Sequence, residues 1–267
     1  MPLATLSDQT RLYYEELGEG EPLLLISGQG MDHTFWNAIR DDLATKYRVI
    51  VYDHRGTGHS DKPKLPAYTT RGLAKDAMEL LNHLGIAHTH VYGFSMGGRV
   101  SQWLAIDYGD RISSLILGAT SPGKRGIPRP HHINAFFQQP LSEQKEQNIK
   151  WLSMFYTPAW IRSNLDKAHE IFNQPVLPVH ARQLHYMASE EHDSYDYLSS
   201  IQSPTLIIHG DEDEVNPTAN AYLLAEKIPG AKLSLIRGGR HGYFIEYKEE
   251  SLHEVIDFLE DHSFHRK

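Results

Sequence analysis

Cysteine is absent from all 267 residues. That omission excludes disulfides, thiolate metal centres and a cysteine nucleophile together, and it suits an expected cytoplasmic setting. Positive charge is scarce as well: 26 lysines and arginines stand against 34 aspartates and glutamates, a formal charge of -8. A surface of that sign repels phosphate backbones, so no nucleic-acid partner is expected. Long apolar runs are also missing. Leu23 to Ile26 typifies the longest of them, whereas a bilayer span needs roughly 20 residues. Met1 to Thr5 leads to Asp8 and Arg11 without a signal-like apolar stretch, so no membrane association is expected.

What is present is an alternation of two periods. Leu23–Ile26, Tyr47–Tyr52, His90–Tyr92 and Ile112–Gly118 are short apolar runs, each the mark of a strand covered on both faces. Between them, Asp32–Lys46, Thr70–Leu84 and the segment opened by Ser95 carry helical spacing, the second through Leu73, Ala77, Leu80 and Leu84 before Gly85 stops it. From Thr120 to about Ser200 the rhythm changes to helices broken by prolines (122, 128, 130, 140, 158, 175 and 178), rich in aromatics such as Trp151, Phe155, Trp160 and Phe172. Alternation returns with Thr205–His209, Thr218–Lys227, Lys232–Ile236 and Leu252–Leu259. This pattern predicts an α/β fold: a core of residues 1–121 and 201–267 built on a mostly parallel sheet, interrupted by a helical insertion over 122–200.

The chemistry begins at Gly93-Phe94-Ser95-Met96-Gly97-Gly98. A G-x-S-x-G run between a strand and a helix forces a bend that thrusts the hydroxyl outward at the helix start. A small residue at a tight crossover would also explain the glycines, but it would need no hydroxyl. Serine attacks well only when a base takes its proton. His241, in the loop Gly238-Gly239-Arg240-His241-Gly242 after the last strand, is the candidate base. Asp211, Glu212, Asp213 and Glu214 crowd the loop after Thr205–His209, where an orienting carboxylate belongs, and spacing alone does not choose among them. The amide of Met96 and that of Gln29, in the turn Ser27-Gly28-Gln29-Gly30, are the candidate oxyanion donors.

Two other patterns lead nowhere. Asp53-His54 with His59, and the pair His131-His132, lack further ligands at metal spacing, so no metal is expected. Gly56-Thr57-Gly58 lacks the rest of a nucleotide fingerprint, and no cofactor is expected. Asp53 and Arg55 read instead as residues that hold their own loop together.

Over nearly its whole length the chain resembles the serine-nucleophile branch of the α/β-hydrolase superfamily, with likeness to carboxylesterases and 3-oxoadipate enol-lactonases. The resemblance is carried by the serine pentapeptide, by Asp53, Arg55, Gly56, Gly58 and Ser60 in a D-x-R-G-x-G-x-S run, and by Gly238 to His241. It implies an eight-stranded sheet with a helical cap. Within a G-x-x-D-x-x-x-P run from Gly210 to Pro217 it also selects Asp213 as the acid. Ser27 stands where the family usually has histidine. Relatives with an aspartate nucleophile, the haloalkane dehalogenases and epoxide hydrolases, are set aside by Ser95. The implied substrate is a small ester or lactone, met by a cap lining of Trp151, Phe155, Tyr156, Trp160 and Tyr186, in a monomer or homodimer. The alternatives on the same scaffold are a carbon–carbon bond hydrolase, a cofactor-free haloperoxidase, a proline iminopeptidase, or a binding protein without activity.

Overall fold

The computed structural model describes residues 2–138, 148–167 and 177–264. Eight strands form one sheet: β1 (Leu3–Thr5), β2 (Arg11–Leu17), β3 (Glu21–Ile26), β4 (Tyr47–Tyr52), β5 (Thr89–Phe94), β6 (Ile112–Gly118), β7 (Thr205–Gly210) and β8 (Lys232–Ile236). Their order is β1-β2-β4-β3-β5-β6-β7-β8. β1 and β2 pair antiparallel, as do β2 and β4, and every later pairing is parallel. Registers such as Leu25 with Tyr92 and Gly93 with Leu117 align the carboxyl ends of the central strands.

Strand residues alternate between two apolar layers. Leu23, Leu25, Tyr92, Ile116 and Ile208 face one, which holds Trp36, Phe244 and Phe258. Leu24, Ile26, Val91, Leu117 and Ile207 face the other, covered by α1 (Thr70–His83), α2 (Met96–Asp107) and the helix Ala219–Lys227. Each such side chain contributes about 1.5–3 kcal/mol on burial, which is why near-continuous apolar runs become central strands. After β3 the chain crosses to β4 on one side, then returns to β5 on the other. The crevice at such a reversal, outside the strands' carboxyl ends, is where open α/β sheets hold ligands.

Between β6 and β7 lie α3 (His131–Gln138), α4 (Asn148–Phe155), α5 (Pro158–Ser163) and α6 (Val179–Glu190). Two of the prolines open these helices rather than breaking them. Pro158 occupies the first turn of α5 and Pro178 is the cap residue of α6, positions where a missing N–H costs nothing. A bridge between Gly123 and Asp193 closes the neck of the insertion. Ile133, Phe136, Leu152 and Phe155 join it to the first apolar layer. The expected residues Pro140, Phe172 and Pro175 lie outside the described ones.

Three local readings differ. β1 is too short for a periodic signal. The expected helix over 32–46 is a 3-10 helix, His33–Ala38, followed by a single α-helical turn, Arg40–Leu43. Ile39, at φ -134°, parts them. The last helix, α8, runs Lys248–Asp261, longer at both ends than its apolar stripe; the helix Ala219–Lys227 before it is α7. Among the described residues, no helix is long and apolar enough to cross a membrane.

Candidate active site

Ser95 joins β5 to α2 with φ 55° and ψ -117°, a conformation that costs a non-glycine residue about 1–3 kcal/mol. Its glycine neighbours have no room for a side chain. A methyl on Gly97 would stand 2.0 Å from the Ile26 carbonyl oxygen, and one on Gly93 would stand 2.1 Å from Ser101 Oγ. The bend is thereby pressed against β3 and against its own helix. Ser95 N donates to Gly118 O at 2.8 Å, and Thr120 Oγ1 donates to Ser95 O at 2.7 Å, which pins the strained residue on both sides.

His241 Nε2 lies 3.1 Å from Ser95 Oγ, and His241 Nδ1 lies 2.8 Å from Asp213 Oδ2. Both partners of the serine are buried, while Ser95 itself remains partly open. Burial alone would raise the Asp213 carboxyl. Attraction to His241 and hydrogen bonds from His209 and His241 overcome that and hold it well below the usual carboxylate range. Asp213 Oδ1 also accepts the amides of Val215 at 2.8 Å and Asn216 at 3.0 Å. Asp211 does different work: its carboxylate accepts Gly238 N at 2.6 Å, an exposed brace for the loop that leads to His241.

The turn after β3 runs beside the nucleophile, since a methyl on Gly28 would stand 3.5 Å from Ser95 Cβ. Neither the Gln29 amide nor that of Met96 donates a hydrogen bond among the described residues. Ser27 Oγ donates to Asp32 O at 3.1 Å and so steadies the turn from within.

The cap reaches the site through Phe155, whose ring centre lies 5.1 Å from that of His241. Trp151 stacks on Phe155, and Tyr156 stacks on Trp160 with centroids 4.3 Å apart. Tyr156 is fully buried against Gly242. Tyr186 is half-buried on α6, without ring contact to His241 among the described residues. The same stretch of cap clasps the loop that bears His241: Phe155 O accepts Gly242 N at 2.9 Å, Ser153 O accepts Arg240 Nη1 at 2.5 Å, and Glu246 accepts from Thr157.

Asp53 and Arg55 do hold their loop. Asp53 accepts His33 N and His59 N, each at 2.7 Å, and Arg55 pairs with Asp76 and Asp8. Asp32, His33 and Asp53 gather closely enough to suggest a cation. Their ligand atoms, however, are spent on hydrogen bonds, with His33 Nδ1 2.7 Å from Asp53 Oδ1 and Asp32 Oδ1 accepting from Thr34.

Two residues escape the motif reading. Arg99, one turn along α2 from Ser95, is buried and donates to Ser189, Ser121 and Asn216, which ties α6 and the acid's loop to the nucleophile's helix. His209 in β7 approaches Asp213 Oδ2 at 3.1 Å. The available signal was a polar side chain inside an otherwise apolar strand, which needs a partner wherever it is buried.

The family described as alpha/beta hydrolase fold matches residues 21–247. RutD of Pseudomonas savastanoi pv. phaseolicola (strain 1448A / Race 6), for which carbamate hydrolysis is the proposed activity, is 32% identical over 250 residues, 89% of this chain and 93% of its own. Among solved structures, the enol-lactonase from Burkholderia xenovorans LB400 is 27% identical with a TM-score of 0.86, covering 97% of this chain and 99% of its own. Est816, an N-acyl homoserine lactone degrading enzyme, is 27% identical with a TM-score of 0.83, covering 96% of this chain and all, 100%, of its own.

Proposed function

Because the chain belongs to the α/β-hydrolase family, we propose that it is a serine hydrolase that cleaves a small carboxylic ester or lactone through an acyl-enzyme. Ser95 is the nucleophile, His241 the base and then the acid, and Asp213 the orienting carboxylate. The observation that carries this reading is the unbroken relay from Ser95 Oγ through His241 to Asp213, at 3.1 and 2.8 Å.

His241, neutral and with its Nδ1 proton held by Asp213, takes the Ser95 proton on Nε2 as Oγ attacks the carbonyl carbon. The amides of Gln29 and Met96 receive the oxyanion, and α2 adds the positive end of its dipole. The imidazolium then protonates the departing alkoxide. Water, deprotonated by the same nitrogen, releases the acid and frees the serine. Asp213 stays ionised throughout and stabilises the imidazolium. Residues 122–200 act as the cap over a core of 1–121 and 201–267, with Phe155, Trp151, Tyr156 and Trp160 as the aromatic wall that excludes water from the acyl group.

The lactonase activities of the two solved relatives support the ester or lactone class. A carbamate is the second reading, favoured by the RutD relatives at 28–32% identity; its carbonyl would pass through the same tetrahedral step. A panel of p-nitrophenyl esters of rising chain length, run beside lactones and aryl carbamates, separates them. Ser95→Ala should abolish turnover of the best ester, by about 10⁴-fold or more, with the circular dichroism spectrum unchanged. Undiminished turnover in that folded variant ends the proposal.

A further inference from the structure

His209 is wholly buried in β7, four positions before Asp213. Its Nε2 stands 2.8 Å from the carbonyl oxygen of Asn216 and 3.1 Å from Asp213 Oδ2, the oxygen that also meets His241 Nδ1. A carbonyl oxygen has no proton to give, so Nε2 carries the hydrogen. His209 Nδ1 has no partner among the described residues. A second N–H at that nitrogen would be a buried donor with nothing to meet, so the ring is the neutral tautomer with its one proton on Nε2.

The count of lone pairs on Asp213 is then complete. A carboxylate offers about four acceptor positions. Two backbone amides, of Val215 and Asn216, fill Oδ1, and two imidazole N–H groups approach Oδ2 from His241 and His209. Other ionisable groups around this loop include Asp211, Glu212 with its partner Arg240, Glu214 near His132, Tyr243, hydrogen-bonded to Tyr92 of β5, and Arg99 of α2, which reaches it through Asn216 Oδ1.

We propose that His209 is a positioning residue for the relay, its Nε2–H divided between Asn216 O and Asp213 Oδ2. It holds the carboxylate in the rotamer that His241 requires and draws off charge that Asp213 would otherwise concentrate on that imidazole. The inference rests on the reading of Ser95, His241 and Asp213 as the catalytic triad. Its consequence has a sign. Removing the His209 donor would leave the charge on Asp213 Oδ2 to the His241 N–H alone. The imidazolium is then favoured and the acid limb of the rate profile moves up.

The rate at which a fluorophosphonate labels Ser95, measured against pH, reads this ionisation without knowledge of the natural substrate. His209→Phe removes the donor, whereas His209→Gln places an amide N–H where Nε2 now sits. The expected result is an acid limb about 0.5 to 1 pH unit higher in His209→Phe, with a maximum rate about tenfold lower, and both restored towards the native values in His209→Gln. An unmoved limb in His209→Phe, or an equal displacement in both variants, overturns the proposal. Nitrogen-15 spectra of the histidines in the native protein test it independently of any variant. His209 should remain the neutral Nε2–H tautomer while His241 titrates, and an imidazolium or an Nδ1–H form at 209 refutes the assignment. Labelling that survives Ser95→Ala would instead bring down the triad itself, so the two failures are distinguishable.

Discussion

The carboxyl edge of the sheet and the cap above it are built on opposite terms. At the edge, atoms leave no choice: one added methyl at Gly93 or Gly97 would stand only 2.1 or 2.0 Å from a hydroxyl or a carbonyl oxygen, and Asp213 accepts two backbone amides and faces two imidazoles. The cap shares the first apolar layer with the core and is tied to it further by separate polar contacts. His185 Nε2 donates to Arg55 O at 2.8 Å, His180 Nε2 donates to Lys62 O at 3.0 Å, and His192 meets Thr70. On the proposed reading, the reaction would sit where the backbone is most tightly packed, and the cap above it would add an aromatic wall.

The contrast can be broken most forcefully at the acid. Asp213→Asn should lower kcat by about 10⁴-fold through the wrong His241 tautomer, whereas Asp211→Asn, which loses only a brace to Gly238, should change it a few-fold. Steady-state rates of both variants decide, and the reverse ranking would reassign the acid. Next comes the elbow. Gly97→Ala should cost about 3 kcal/mol of stability from overpacking and displace Ser95, read by denaturant unfolding together with fluorophosphonate labelling. A stable, fully labelled Gly97→Ala protein would deny that the edge is over-determined.

Acid probes the cap. Burial holds the imidazoles of His54 at about 3 and His185 at about 4, beneath the ordinary 6.5. The unfolded chain therefore binds protons first as pH falls. The stabilisation is complete above about pH 6.5 and is lost progressively toward pH 4, at about 2 kcal/mol for each of the two rings by pH 5. His185→Gln should flatten that loss by about 2 kcal/mol between pH 7.5 and 5 in urea titrations. An unchanged pH slope would show that His185 does not dock the cap as a neutral ring. The smallest effect belongs to the wall. Trp160→Ala should raise KM about three- to tenfold for long acyl esters, with kcat within about threefold. A collapse of kcat instead would place this residue with the edge.

These terms also explain what could be read in advance. Glycines at 93, 97 and 98 are legible because only glycine survives those contacts, and the loops bearing Asp213 and His241 follow strands whose apolar runs announce them. The antiparallel β1 has three residues and no period to detect. Residues 32–46 carry the right buried side chains, yet the extended φ of Ile39 divides them into a 3-10 helix and a short α-helical turn. By composition the cap aromatics form a single class. Their different fates depend on docking: Phe155 against His241, Tyr156 buried beneath Trp160, Tyr186 away on α6. No local pattern encodes which aromatic meets which. His209 looked like one more strand residue, because its partner lies beyond a turn four positions on.

The clasp between residues 153–157 and 240–246 constrains anyone who would recombine this enzyme with its relatives. A transplanted lid whose donor fragment includes the 153–157 stretch brings foreign anchors for the imidazole's loop, so selectivity and turnover would be altered in one stroke. Splice points that leave this stretch native while exchanging α3 or α6 would let the two properties be inherited separately.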